Sequence, residues 1–222
     1  MSKEDLIIIG RGGHAKVVID IIEECDMFNI IGITDAVSND ENEYMGYPIL
    51  GNDDVLPVYL KKGIRNVALG VGGFRDNLLR TRIFNIIKGY GFNFPPIIHP
   101  SAIVAKSATI GEGTVVKRGA IVDTNVEVGL NNILEIGSII GHESKVGDHN
   151  LISGGVTIGA NTTIESGVVC ALGATVISGI TVGKNILIGA GATVVNSINE
   201  EGLYLGCPAK LKKVSRLEDN LK

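Results

Sequence analysis

Residues 140–164 read IGHESKVGDHNLISGGVTIGANTTI and place an aliphatic residue at every sixth position: Ile140, Val146, Ile152, Ile158 and Ile164. Followed outward, the rhythm runs without a miss from Ile98 to Val194, seventeen consecutive positions that are nearly all β-branched. An amphipathic helix repeats its apolar face every 3.6 residues and a half-buried strand every 2, so neither produces a period of six. Glycine directly follows the aliphatic residue at 111, 129, 141, 147, 159, 183 and 189, the mark of short flat strands joined by tight turns. Three hexapeptides close one triangular coil of 18 residues. Such coils stack at about the 4.8 Å strand spacing, so the inward residues pile into three ladders. Each repeat buries its face only against its neighbours, which is the logic of a solenoid. From Ile98 to Asn199 there is room for roughly five and a half coils, a prism about 25–30 Å tall.

The 222 residues allow two modest domains. Glycine, at 30 residues, is concentrated in the repeat tract without a collagen period, and aromatics make up only 5%. A formal charge of −4 and the lack of a basic, aromatic-studded stripe argue against a nucleic-acid partner. No apolar run is long enough to span a bilayer, and Met1–Asp5 has no signal-peptide layout, so the expectation is a cytoplasmic protein without a membrane partner. Cys25, Cys170 and Cys207 show no metal or redox spacing, and Cys170 falls on an inward ladder position.

Ahead of the repeats, residues 6–9 (LIII) read as a buried strand, Ala15–Glu24 as a helix, 29–34 (NIIGIT) as a second strand, 53–62 as a helix, 67–70 as a third strand and 75–89 as another helix. This alternation predicts a small Rossmann-like parallel α/β unit over residues 1–95. Its ligand edge lies at the C-terminal ends of the strands. Gly10-Arg11-Gly12-Gly13-His14 opens the first helix, whose free N–H groups favour an anion, and Asp35 ends the second strand where it can accept from a sugar hydroxyl. Gly10, Gly12 and Ala15 fit a loose GxGxxA fingerprint. The pattern suits a nucleotide sugar or another phosphorylated ligand, a nicotinamide dinucleotide, or glycines that serve only the turn. Gly70-Val71-Gly72-Gly73 reads as a further wall of this crevice, with Arg75 facing it or solvent. Pro95, Pro96 and Pro100 punctuate the junction to the repeat domain, 96–205.

Within the repeats, His142-Glu143 follows the Ile140-Gly141 corner. A carboxylate beside an imidazole can fix its tautomer. By the coil length, Ala160 lies over His142 and Thr124 under it, with Asn125 and Asn161 flanking Glu143. The alternative is a surface histidine without a partner. His142 and His149 are seven residues apart with no third histidine in register, so no metal is expected. The segment 206–222 is a cap and tail. The preceding residues from Glu200 break the hexad and are expected to cross the open end of the prism. Lys210, Lys212 and Lys213 form either a solvated tail or a receiver for a phosphorylated cofactor.

The GRGGHAKVV turn, Asp35, the hexapeptide tract, IIGHESKVGDH and the terminal LGCPAK together resemble the left-handed β-helix sugar acetyltransferases of the sialic acid O-acetyltransferase NeuD type. These include the N-acetyltransferases of nucleotide-linked 4-amino sugars for surface glycans. The resemblance spans essentially the whole chain. It implies a small Rossmann-like domain followed by a left-handed parallel β-helix, and acetyl-CoA as cosubstrate. His142 is implied as general base, with Glu143 raising its basicity. Gly12, Gly13, His14, Asp35 and Gly51 are implied to hold the nucleotide-sugar acceptor. The pantetheine arm passes Ala160, Leu172 and Ala190, and the site lies between subunits of a homotrimer. One departure stands out: where the family commonly carries a second histidine near the thioester, this chain has Leu151, with His149 two residues earlier. Leu151 removes a polar contact to the donor, and Lys210 is the expected cofactor-binding member of the terminal lysines. The implied reaction is direct acetyl transfer to an amine; O-acetylation of a sugar or sialic acid, another acyl group, and a noncatalytic nucleotide-sugar-binding scaffold are the alternatives.

Overall fold

The computed structural model describes residues 3–36, 42–73 and 77–213, for Lys213 the backbone alone. The chain divides into two compact units, Met1–Pro100 and Ser101–Lys222. In the first, β1 (Glu4–Ile9) runs parallel to β2 (Phe28–Thr34) on one side and to β5 (Asn66–Leu69) on the other. Leu6 to Ile9 are fully buried, as a central strand covered on both faces requires. Helix α1 (Gly13–Cys25) buries Ala15, Val18, Ile19, Ile21 and Ile22, and it ends where Asp26 turns left-handed and its N–H donates to Ile22 O. The expected helix at 53–62 resolves into a 3-10 turn, Asp53–Val55, followed by α2 (Leu56–Lys61). Helix α3 (Asn77–Gly89) covers the described part of the last predicted helix; Arg75 lies outside the described residues. A hairpin absent from the sequence reading, β3 (Glu43–Tyr44) and β4 (Tyr47–Gly51), completes the sheet in the order β3-β4-β2-β1-β5. Its strands are too short to show a period. Phe84 and Phe94 pack at 4.5 Å between ring centroids inside a core that also holds Ile7, Leu56 and Phe92.

The second unit is a parallel β-helix with the expected 18-residue coil. Val122 pairs with Ile140, Ile140 with Ile158, and Ile158 with Val176, one whole coil apart each time. Three sheets of two-residue strands follow, and from Val116 onward every sixfold position through Val194 is buried. The residue two places before each ladder position also points inward. Ala120, Val126, Val156, Val168 and Ala174 occupy this second set, together with Thr114, Asn132, Ser138, Ser144, Asn150 and Thr162, all of them buried. Most of the polar ones bond from coil to coil, with Ser138 Oγ and Asn150 Nδ2 as exceptions among the described residues: Asn132 Nδ2 donates to Gly147 O at 2.9 Å and its Oδ1 accepts from Asn150 N at 2.8 Å. Ser144 Oγ donates to Gly159 O and accepts from Thr162 N in the same pattern.

The hexad's last turn differs from expectation. Rather than crossing the open end, Gly202–Leu205 adds a rung to one sheet, with Ile188 pairing to Tyr204 sixteen residues on. Lys210–Lys213 then folds back antiparallel on that rung. A final parallel strand leaves one edge of N–H and C=O groups unpaired, and a short lysine-rich hairpin satisfies and blunts it.

Each buried ladder aliphatic contributes about 1.5–3 kcal/mol by leaving water. Ile158→Asp puts an unpaired carboxylate into this dry stack and is expected to destabilise the chain by about 3–5 kcal/mol. Denaturant unfolding measures it; a loss under about 1 kcal/mol would show that position 158 does not face the interior.

Candidate active site

The turns of the β-helix are built on one residue with positive φ every six positions. At corners 113 to 191 these φ values all lie between 53° and 78°. Three columns of corners result, and one holds Asn125, Glu143 and Asn161. Adjacent residues on an extended strand would point apart, but the left-handed turn at Glu143 (φ 57) brings its carboxylate back to its neighbour. His142 Nδ1 lies 3.4 Å from Glu143 Oε2, with both side chains about half exposed. That is ion-pair range, somewhat longer than a strong hydrogen bond. The corner is anchored from both sides: Glu143 N donates to Thr124 O and Asn161 N to His142 O, each at 2.9 Å.

One coil beyond His142 stands Ala160, as the register predicts. Its N–H finds no acceptor among the described residues, and the same holds for Leu172 and Ala190. These three are the expected donor-site positions, yet they do not meet in one chain. Leu172 and Ala190 stack on a different corner from Ala160, one side of the prism away. Six extended residues make that side about 20 Å long. Leu151 lies elsewhere again, buried in an apolar row with Ile133 and Val169. Lys210 is exposed on the terminal hairpin, opposite Leu205.

Neither Ser144 nor Cys170 is placed as a nucleophile for this imidazole. Ser144 points inward with its hydroxyl engaged, and burial pushes the Cys170 thiol up to about 12. Among the described residues no three His, Cys, Asp or Glu side chains converge as a metal site would require.

In the first unit, Gly12, Gly13, His14, Asp35 and Gly51 gather at the C-terminal edge of the sheet. Gly12 is the N-cap of α1 and supplies no side-chain cap; within the first turn Ala15 N donates to Gly12 O at 3.0 Å. A Cβ on Gly13 would meet nothing within 4 Å. Asp35 N donates to Gly51 O at 3.0 Å, joining β2 to the end of β4. The sequence reading missed three partners of this edge. Arg11 Nε is bonded to the Asp35 carboxylate, so that acid is already oriented. Tyr44, brought in by the hairpin, donates from its hydroxyl to Gly12 O at 3.1 Å. Its phenol is raised by burial and by Asp35, with Arg11 opposing. Arg80 is buried, and desolvation lowers its pKa; its Nη1 donates to Val71 O at 2.5 Å and holds the Gly70–Gly73 segment. The Arg11–Asp35 charge match and an arginine on the apolar stripe of α3 were readable signals. Nothing local announced Tyr44.

Comparison with known proteins agrees with both units. Residues 5–87 match the family described as PglD N-terminal domain. UDP-N-acetylbacillosamine N-acetyltransferase of Bacillus subtilis (strain 168) is 30% identical over 119 residues, and the chain spans about half (51%) of that relative's length. PerB from Caulobacter crescentus, solved in complex with CoA and GDP-perosamine, is 31% identical, with 96% of this chain and 99% of that one covered and a TM-score of 0.77. The acetyltransferase domain of PglB from Neisseria gonorrhoeae FA1090 is 29% identical, with 95% and 100% covered and a TM-score of 0.86. The chain therefore belongs to the NeuD/PglD-type family of left-handed β-helix sugar acetyltransferases, which use acetyl-CoA.

The thiols offer a direct check on the coil interior. In the folded protein at pH 8, an aromatic disulfide reagent is expected to modify exposed Cys207 and leave Cys170 untouched until denaturant is added. Rapid modification of Cys170 in the native state would place it outside the ladder.

Proposed function

We propose that the protein transfers the acetyl group of acetyl-CoA to the amino group of a nucleotide-linked 4-amino sugar, with His142 as general base. The observation that carries this is one corner of the β-helix, where His142 lies beside Glu143 and below the unengaged N–H of Ala160. The solved relative holding both CoA and GDP-perosamine supports the choice of substrates. The imidazole takes a proton from the acceptor amine as its nitrogen attacks the thioester carbonyl. The C–N bond forms, the C–S bond breaks, and the imidazolium returns the proton to the departing thiolate. Ala160 N–H stabilises the oxyanion. An amine attacks as a neutral group, whereas a hydroxyl must lose its proton, which favours N- over O-acetylation. With Ser144 engaged and Cys170 buried, direct transfer needs no acyl-enzyme.

Gly12, Gly13, His14, Asp35 and Gly51 hold the nucleotide-sugar part of the acceptor in this reading, its phosphates facing the α1 N-terminus. Ala160, Leu172 and Ala190 line the pantetheine arm, Leu151 gives an apolar wall, and Lys210 meets the phosphorylated end. Because these positions divide between two corners about 20 Å apart, the donor site is assembled from two copies. We therefore propose a homotrimer with three sites between subunits, a closed cyclic assembly. The cytoplasmic pools of acetyl-CoA and nucleotide sugars locate the reaction there, ahead of surface-glycan assembly.

Thiol release from acetyl-CoA, measured across a panel of nucleotide-linked 4-amino sugars and free sialic acid, tests the activity, and product mass separates amide from ester. His142→Ala is expected to lower kcat by roughly 10²–10⁴ while acetyl-CoA binding survives. Near-normal turnover would remove His142 as the base. Asp35→Ala is expected to raise the acceptor KM with little change in kcat. Sedimentation at trimer mass across micromolar concentrations is the expected assembly result; a monomer would confine the donor to a groove on a single chain.

A further inference from the structure

Helix α3 turns three buried residues toward the sheet, Arg80, Phe84 and Ile87, and the first of them is charged. Phe84 and Ile87 share one apolar cluster with Ile7, Ile9, Val67 and Leu69, so α3 covers that face of the sheet. Helix α1 covers the opposite face. Successive positions of a strand alternate between faces, and a Cβ on Gly70 would stand 2.7 Å from Ala15 Cβ and 3.1 Å from Ile8 Cγ2. Burying a guanidinium to 2% exposure is costly, and an aliphatic side chain would fill the same stripe without that cost. Arg80 therefore has a role beyond packing.

Its hydrogen bonds show where that role lies. Arg80 Nη1 donates to Val71 O at 2.5 Å and lies 3.4 Å from Leu69 O. Both carbonyls belong to the segment that leaves β5 at the C-terminal edge of the sheet. Gly70 N still donates to Ile9 O at 2.7 Å, but β5 has ended, and Arg80 then fixes the backbone. In a trans peptide the carbonyl and the following N–H point to opposite sides. Among the described residues only Cys207–Pro208 is cis. Arg80 draws Val71 O toward α3, so the N–H of Gly72 points to the α1 side of the sheet. That N–H has no acceptor among the described residues. Gly72 also runs close to the first turn of α1, since a Cβ on it would stand 3.3 Å from His14 Cβ.

We propose that Arg80 is a positioning residue of the acceptor site, holding the Gly70–Gly73 segment so that Gly72 N–H donates to a phosphate oxygen of the nucleotide sugar. The proposal rests on the nucleotide-sugar reading above. The diphosphate then lies between the first turn of α1 and the segment after β5. Arg80 does not touch the phosphate; it acts through the peptide that it anchors. A backbone N–H on an unanchored segment would give up much of its bond energy in being ordered, and the guanidinium removes that loss in advance.

The test follows binding of UDP, GDP and dTDP to the full chain by calorimetry, and the bound ligand by NMR. Arg80→Met is expected to raise the Kd of the best-bound diphosphate about tenfold or more, the loss of one hydrogen bond to a charged group. Its phosphorus signals should move toward their free positions while the ribose H1′ signal keeps its bound position. Arg80→Lys, which returns a cation able to reach one carbonyl, is expected to recover part of the affinity. An unchanged Kd in folded Arg80→Met overturns the proposal. So does a joint return of phosphorus and H1′ signals toward their free positions, which marks a general deformation of the crevice. If neither variant folds by circular dichroism, Arg80 is structural and the proposal falls. A wild type that binds none of the three diphosphates defeats the nucleotide-sugar reading of the first unit itself. A wild type that binds one, with an indifferent Arg80→Met, defeats Arg80 alone.

Discussion

The backbone hydrogen bonds that join each coil to the next carry the second unit. Gly141 N to Ile158 O, Gly159 N to Val176 O and their counterparts lie near 2.8 Å, and each ties a residue to the coil above it. Such bonds stay aligned only while every coil contains the same number of residues, so a single insertion would move every later side chain out of register. The regular β-branched ladder is a consequence. Flat two-residue strands leave one inward place per side for a large side chain, with a smaller one two residues earlier.

That interior is not wholly apolar, and most of its polar members meet one condition. Thr114, Asn132, Ser144 and Thr162 each give a side-chain donor to a carbonyl on the coil above. Together with the N–H groups their oxygens receive, these bonds make short polar ladders inside the wall. A buried polar side chain is tolerable there because the neighbouring coil supplies its partner. Lys117 follows the same logic across coils, bonding at 2.5 Å to Glu135 while itself buried.

The proposed chemistry uses what the coils leave over. The turn leaves the N–H of Ala160 without a coil partner, and the proposed reaction uses this by-product of the fold as its oxyanion donor. The left-handed corner at Glu143 does the rest, since it alone lets two sequence neighbours face one another. The site on the first unit is made differently. There the strand ends bring together residues far apart in sequence, and the Arg11–Asp35 pair and the Tyr44 hydroxyl brace the turn.

Much of the second unit was legible in the sequence because its periodicity is a local record of burial. The sixfold aliphatic series, the 18-residue coil and the placement of Ala160 over His142 all follow from counting, and the structure agrees in each case. The same count separates Ala160 from Leu172 and Ala190, whose spacing is not a multiple of 18, although the sequence reading set all three along one arm. Where the count fails, so did the reading: the last coil closes two residues short, and the edge then dictates a hairpin. Tyr44 and Arg80 reach the first unit's crevice through a short hairpin and a helix packed on the sheet. Which distant side chains meet there depends on the packing of whole elements, and no spacing along the chain records it. The sequence by itself determined the coil, its ladders and the corner that bears His142. Only the tertiary structure decided how Glu143 turns back to that imidazole and what braces Asp35, because both depend on backbone directions and long-range contacts that residue types do not encode.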